Sequence, residues 1–275
     1  MDKFAKLNNI LRGMKSVVVA YSGGLDSTFL LKAAVDALGR GNVLAVTARS
    51  ETYPRSEYDQ ARRIAGRMGA RHMTLRTSEL GIKGFSSNPV DRCYYCKKEL
   101  FRKLEAIRLK RGMGHVVDGT NCDDQKDVRY GRIAAREIGV RSPMVDAGMT
   151  KGDIRKLSKR LGLPTWDKPP MACLASRIPF NSRITAPDLK RIEEAEDWLR
   201  GLGFIQVRLR CHKDIARIEI CEKDFTRAIK MRDRIVRRLN GLGFTYSTLD
   251  LAGYRTGSMH EGVPEGKQKS GAPSD

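Results

Sequence analysis

Six consecutive residues, Ser22-Gly23-Gly24-Leu25-Asp26-Ser27, constrain this chain more than any other part of it. An unbroken apolar run, Val17-Val18-Val19-Ala20-Tyr21, precedes them and reads as a strand buried on both faces. The stretch from Thr28 to Val35 follows and reads as a helix. A strand that turns through two glycines into a helix brings several unpaired backbone N–H groups to one spot. The helix dipole adds partial positive charge there, so the junction favours an anion. Without Cβ atoms, Gly23 and Gly24 let the backbone approach phosphate oxygens closely. Ser22 and Ser27 offer hydroxyl donors, and Asp26 can cap the helix or hold a metal ion.

No lysine follows the second glycine, so this is not the kinase-type loop G-x-x-x-x-G-K-[ST]. The hexapeptide instead resembles the pyrophosphate-binding loop of ATP pyrophosphatases, which grip the β and γ phosphates and pass the adenylyl group to a substrate oxygen. An ordinary strand–turn–helix junction is the plainer alternative.

Strand and helix signals alternate through residue 165. Strands are expected at 16–21, 43–47, 71–75, 115–118 and 142–145, and helices at 56–68, 97–110, 132–138 and 151–161. That alternation predicts an α/β fold, a doubly wound parallel sheet with helices on both faces. Ligands in such sheets lie beyond the carboxyl ends of the strands, where the hexapeptide falls. Pro164, Pro169, Pro170 and Pro179 then mark an interdomain loop over 166–187. A smaller α+β domain is expected over 188–259. It carries the words Leu199-Arg-Gly-Leu-Gly-Phe204 and Leu239-Asn-Gly-Leu-Gly-Phe244, each placed between a helical and a strand-like stretch. Residues 260–275 read as a disordered tail.

Two cysteine motifs add chemistry. Arg92-Cys93-Tyr94-Tyr95-Cys96-Lys97-Lys98 places two sulfurs within reach of one metal or cluster, and its cations favour thiolates. Taken alone, it is equally a redox pair or a zinc half-site. Cys173, in Met171-Ala172-Cys173-Leu174-Ala175-Ser176-Arg177, sits in the proline-rich loop beside an arginine, which suits a reactive or ligating thiolate. Six cysteines in 275 residues without a secretory leader fit thiol chemistry better than a disulfide framework, and the expected compartment is cytoplasmic. No stretch reaches the ~20 apolar residues of a membrane span. The net charge of +20 is spread along the chain and reads as solvated surface; it makes nucleic acid an unexpected partner while leaving an RNA substrate open.

Taken in order, SGGLDS, NPVDRCYYCKKELF, DGTNCDD, LGLPTWDKPPMACLASRIPF and VRLRCH…ARIEI resemble the LarE family of ATP-dependent sulfur-insertion proteins, over residues 16–259. The resemblance implies adenylation of a carboxylate of pyridinium-3,5-biscarboxylic acid mononucleotide and release of pyrophosphate. Carboxylate oxygen is then replaced by sulfur. ATP and Mg²⁺ are the implied cofactors, with Ser22, Gly23, Gly24, Asp26 and Ser27 at the nucleotide. Asp118-Gly119-Thr120-Asn121 follows a strand at the same sheet edge, which places Gly119 and Thr120 to line the adenine or ribose pocket, a plain strand-to-helix turn being the alternative. Family members with one cysteine sacrifice its sulfur. Members with three hold a 4Fe–4S cluster, here assigned to Cys93, Cys96 and Cys173, that accepts sulfide from a donor. Arg208 and Arg210 alternate on one strand face with period two and make a clamp for the substrate's phosphate, with Arg177 assigned to the same phosphate and Glu219 placed to orient the clamp; solvated surface arginines are the plainer alternative. The resemblance leads to the expectation of a homo-oligomer. Three other readings stay open: single-turnover transfer from Cys173, thiolation of a tRNA base, and a non-enzymatic carrier of cluster and nucleotide.

Overall fold

The computed structural model describes residues 2–126, 130–255 and 258–260. Among the described residues the chain divides into two compact units, the first running to Ser78 and again over Asp91–Met171, the second formed by Glu79–Val90 and the described chain from Ala172 to His260.

The first unit has the order α1 (Lys3–Met14), β1 (Val17–Ala20), α2 (Leu25–Leu38), β2 (Val43–Arg49), α3 (Arg55–Arg67), β3 (Arg71–Arg76), α4 (Arg92–Lys110), β4 (His115–Val117), α5 (Tyr130–Ile138), α6 (Pro143–Asp146) and α7 (Lys151–Arg160). Its four strands are parallel, in the order β3-β2-β1-β4. Successive side chains of a strand point to opposite faces. Val17 and Val19 therefore enter one core with Leu7 and Leu11 of α1, Phe29 and Leu30 of α2 and Ile154 of α7. Val18 enters the other with Phe101 and Leu104 of α4 and Ala135 of α5. Each valine is fully buried, which stabilises the fold by roughly 1.5–3 kcal/mol per side chain. This is the expected α/β architecture, with helices on both faces of a parallel sheet.

The strand expected at 142–145 does not form. Residues 143–146 make the one-turn helix α6, with Pro143 at its start, and the sheet gains only a single bridge between Val117 and Arg141. Proline has no N–H to give a ladder, and its fixed φ suits the first turn of a helix.

The second unit contains α8 (Ala186–Gly201), β5 (Val207–His212), β6 (Ile215–Ile220), α9 (Phe225–Lys230), α10 (Arg232–Gly241) and β7 (Tyr246–Leu249). β6 is central, antiparallel to β5 and parallel to β7. The repeated GLGF words are two copies of one helix-ending device. In the first, Gly203 N–H donates to the Arg200 carbonyl (2.8 Å) and Phe204 N–H to the Leu199 carbonyl (3.2 Å). In the second, Gly243 donates to Asn240 (2.9 Å) and Phe244 to Leu239 (3.1 Å). Both glycines have positive φ, and both phenylalanines are buried. These are paired Schellman motifs that turn each helix back onto the core. Residues 79–90 join this unit through Asn88, whose Nδ2 donates to the carbonyls of Ile178 (3.1 Å) and Pro179 (2.7 Å). Of the tail expected at 260–275, His260 closes a 3₁₀ turn, Ser258–His260, and residues 261–275 lie outside the described residues.

Candidate active site

β1 ends at Ala20 and α2 begins at Leu25, so the four residues between them make the turn at the carboxyl edge of the sheet. Gly24 is the N-cap of α2 and supplies no side-chain cap, which leaves the helix N-terminus open to an external acceptor. Gly23 has φ +65°, and a Cβ there would stand 2.5 Å from the Ala61 Cβ of α3. Only glycine satisfies both constraints. The serines brace the turn: Ser22 N–H donates to Ser27 Oγ (3.2 Å), the two hydroxyls lie 3.1 Å apart, and Ser27 Oγ donates to the Gly24 carbonyl (3.3 Å). On the outer side, Tyr53 Oη donates to the Ser22 carbonyl (2.6 Å) and Lys168 Nζ to the Gly23 carbonyl (3.2 Å).

Asp26 lies in the first turn of α2, where the helix dipole favours its charge. Its carboxylate accepts from Asn121 Nδ2 (3.4 Å) and pairs with Lys151 Nζ, the first residue of α7. Asn121 is itself fixed, with Oδ1 accepting from the N–H groups of Asp123 (3.0 Å) and Asp124 (3.3 Å). Gly119 brings the β4 loop hard against α2, since a Cβ there would lie 3.0 Å from Ser27 N. Thr120 Oγ1 and Ser142 Oγ both donate to the Asp118 carboxylate at 2.7 Å. The expected residues Ser22, Gly23, Gly24, Asp26, Ser27 and Gly119 thus meet at one sheet edge, with Thr120 in the same loop. Sequence reading placed Asn121 in this loop but missed Tyr53, Lys151 and Lys168.

The Asp26 side chain keeps 22% exposure. Among the described residues no three His, Cys, Asp or Glu side chains gather as a metal cage. Magnesium does not need one. It is commonly held by one or two carboxylates, waters and the phosphates of its nucleotide, and an accessible carboxylate at a phosphate loop fits that donor set.

Cys93 and Cys96 occupy the first turn of α4, three residues apart and therefore on neighbouring positions of one helical face. Cys93 is exposed and Cys96 half-buried. The nearby cations are partly engaged elsewhere, Lys98 with Glu137 (2.9 Å) and Lys97 over the Phe101 ring (5.6 Å). Cys173 belongs to the second unit, as N-cap of the 3₁₀ turn Leu174–Arg177, and is half-buried. Cys122 N–H donates to the Met149 carbonyl (2.9 Å), and its sulfur faces the Val145 carbonyl (3.9 Å). Cys211 is buried, and burial pushes its thiol up from the ordinary value.

The arginines of the second unit divide into two groups. Arg177 has no exposed surface. Its Nε and Nη2 donate to Glu196 (2.8 and 3.0 Å), and its Nη1 to the carbonyls of Ala172 (2.8 Å) and Cys173 (3.1 Å) and to Ser176 Oγ (2.9 Å). Every nitrogen is thus satisfied internally, so Arg177 anchors the cysteine turn instead of facing a phosphate. Arg208 and Arg210 share one face of β5, as their spacing predicts. Burial, with Arg177 nearby, lowers the Arg208 pKa, and its guanidinium stacks over the Tyr254 ring at 5.4 Å. Arg210 donates to Glu219 (2.7 Å), Ser258 Oγ (2.9 Å) and the Ser176 carbonyl (3.0 Å). Glu219 is fully buried and orients Arg210.

Comparison with known proteins agrees with this geometry. A sequence model of the NAD synthase family matches residues 4–90, the span holding the loop. Over 259 residues the chain is 40% identical to the pyridinium-3,5-bisthiocarboxylic acid mononucleotide synthase of Lactiplantibacillus plantarum, covering 94% of each sequence. An uncharacterised Synechocystis protein is 38% identical over 94% of this chain and 97% of its own length. The NH₃-dependent NAD⁺ synthetase of Chlorobaculum tepidum is 29% identical over 59% of each.

Proposed function

The chain belongs to the LarE family, and from that premise we propose that it inserts sulfur into pyridinium-3,5-biscarboxylic acid mononucleotide at the expense of ATP. The observation that carries this reading is the Ser22–Ser27 turn, a helix N-terminus without a side-chain cap and with the partly exposed Asp26 carboxylate beside it. Such a site binds the β and γ phosphates of ATP, with Asp26 at the magnesium ion.

A substrate carboxylate oxygen attacks the α-phosphorus, and the bond to the β-phosphate oxygen breaks to release pyrophosphate. The carboxylate is now an acyl-adenylate, whose leaving group is AMP instead of oxide. A sulfur nucleophile adds to the acyl carbon, and AMP departs carrying the original carboxylate oxygen. One round gives a monothiocarboxylate and a second gives the bisthiocarboxylate. Activation is required because an ionised carboxylate resists nucleophiles at neutral pH.

Cys93, Cys96 and Cys173 are the residues that would hold a 4Fe–4S cluster, whose chemistry there would be the delivery of sulfide from an external donor. Thiolates are the ligands such clusters take, and three leave one iron open. Arg208 and Arg210 take the substrate's phosphate, with Glu219 setting the second guanidinium; two guanidiniums from one strand face suit a phosphate dianion.

Purified protein incubated anaerobically with the biscarboxylate mononucleotide, ATP, Mg²⁺ and sulfide tests the reading. Pyrophosphate release that depends on the mononucleotide, with sulfur recovered in the product, supports it. ATP binding without mononucleotide-dependent pyrophosphate release refutes it.

A further inference from the structure

The loop's carbonyls are held from outside the loop, and we propose that Tyr53 and Lys168 are positioning residues that aim its N–H groups at the bound pyrophosphate unit. This rests on the reading of Ser22–Ser27 as the pyrophosphate site.

In a trans peptide the carbonyl and the N–H point in opposite directions. The bond from Tyr53 Oη to the Ser22 carbonyl (2.6 Å) therefore sets the direction of the Gly23 N–H. The bond from Lys168 Nζ to the Gly23 carbonyl (3.2 Å) likewise sets the Gly24 N–H. Glycine pairs are the most permissive backbone the chain can use, so these peptide planes need outside restraint to keep one orientation. A preset orientation matters because donors already aligned need no reorganisation when the anion arrives.

Both restraining groups are themselves restrained. Besides the Gly23 carbonyl, the Lys168 ammonium donates to Glu57 Oε2 (2.6 Å) and Gln60 Oε1 (2.5 Å) of α3, which uses all three of its hydrogens. Its side chain is only 10% exposed. The same helix supplies Ala61, against which Gly23 packs. The turn is thus seated on α3 through Ala61 and through the lysine. The Tyr53 hydroxyl stays protonated at neutral pH, since burial, followed by Glu57, pushes its pKa up. It is a fixed donor. Neither residue is assigned a contact with the ligand; they act through the loop.

The test is calorimetric titration of full-length protein with inorganic pyrophosphate and Mg²⁺, for wild type, Y53F, K168M and K168R, together with KM and kcat for ATP. Losing one restraining bond is expected to weaken pyrophosphate binding by about tenfold in Y53F and K168M, the worth of roughly one hydrogen bond. KM for ATP should rise in step while kcat falls by much less, and K168R should recover part of the affinity. A purely structural role would lower the unfolding midpoint and leave pyrophosphate affinity unchanged in the folded protein, which would overturn the proposal. If K168M does not fold, Y53F and K168R decide alone, because the first removes only a hydroxyl and the second keeps the charge. Wild type that fails to bind pyrophosphate sinks the reading of the loop itself. Wild type that binds, with variants that bind equally well, sinks only the positioning role.

Discussion

Arg177 and Glu196 form a two-pronged ion pair with no exposed surface on either side chain, at 2.8 and 3.0 Å. The pair also organises its surroundings. Through Arg177 it holds the carbonyls of Ala172 and Cys173, and through Glu196 Oε1 it accepts the N–H of Leu209 (3.0 Å) on the outer edge of β5. Arg200 adds a third partner at 2.6 Å. One buried carboxylate on α8 thus fixes both the backbone of the Cys173 turn and an edge strand, while the Cys173 thiol stays half-buried.

Breaking that pair leaves a buried charge without its partner. Arg177→Met should cost about 3–5 kcal/mol of stability, because the desolvated Glu196 loses its main compensation. Urea unfolding followed by circular dichroism measures it. A loss below ~1 kcal/mol would mean that the pair is not closed to water.

The same carboxylate gives a pH signature. Burial raises the Glu196 pKa, but Arg177 and Arg200 outweigh it, and the folded-state value lies below the ordinary one. A depressed carboxylate contributes stability that is complete above the unfolded value of about 4.3 and is lost as pH falls through the folded value. Glu196→Gln should flatten this acid limb of the stability curve. An identical limb in wild type and variant would assign acid unfolding to other carboxylates.

Gly23→Ala meets two separate penalties, a positive φ and a Cβ 2.5 Å from that of Ala61. The backbone term alone is about 1–2 kcal/mol. Pairing it with Ala61→Gly should remove the 2.5 Å contact and leave the backbone term together with a 2.9 Å approach to the Cα of residue 61. A thermal-unfolding double-mutant cycle separates the two, with positive coupling expected and additivity as the contrary result.

The legible parts of this molecule were those written within a few adjacent residues. SGGLDS declared its strand, its turn and its helix because all three are local. The GLGF words declared helix ends for the same reason, since a Schellman motif spans six residues. The missed residues act at long range. Lys168 reaches Gly23 across 145 positions, and Asp26 meets Lys151 across 125, distances that no spacing rule covers. Residues 79–90 belong to the second unit through the side chain of Asn88, a link invisible in composition. Arg177 read as a substrate-phosphate residue because nothing in its neighbourhood of sequence announces Glu196, its partner 19 positions away. The missing fifth strand was an error of emphasis: the apolar residues outweighed Pro143.

Asp26→Asn keeps the shape and removes the charge. Magnesium-dependent pyrophosphate release should fall by about 10²–10³-fold, the range seen when one preorganised electrostatic contact is lost. A coupled pyrophosphate assay over a magnesium series checks it. Near-normal rates at saturating magnesium would move the metal elsewhere.

The three-cysteine assignment predicts a colour. Anaerobically reconstituted protein should absorb near ~400 nm and carry about four irons, as thiolate-held clusters do. Cys93→Ala, Cys96→Ala and Cys173→Ala should each lose that absorbance. A colourless wild type would make Cys173 the sulfur source, with loss of one sulfur from that residue after a single turnover.

The central claim is that ATP activates a carboxylate by adenylation at the Ser22–Ser27 loop. The most direct measurement follows the oxygen. Mononucleotide labelled with heavy oxygen in its carboxylates is turned over with unlabelled ATP, and the released AMP is weighed by mass spectrometry. Adenylation predicts one labelled oxygen in each AMP and none in pyrophosphate. Unlabelled AMP, or label appearing in phosphate or pyrophosphate, would contradict the account.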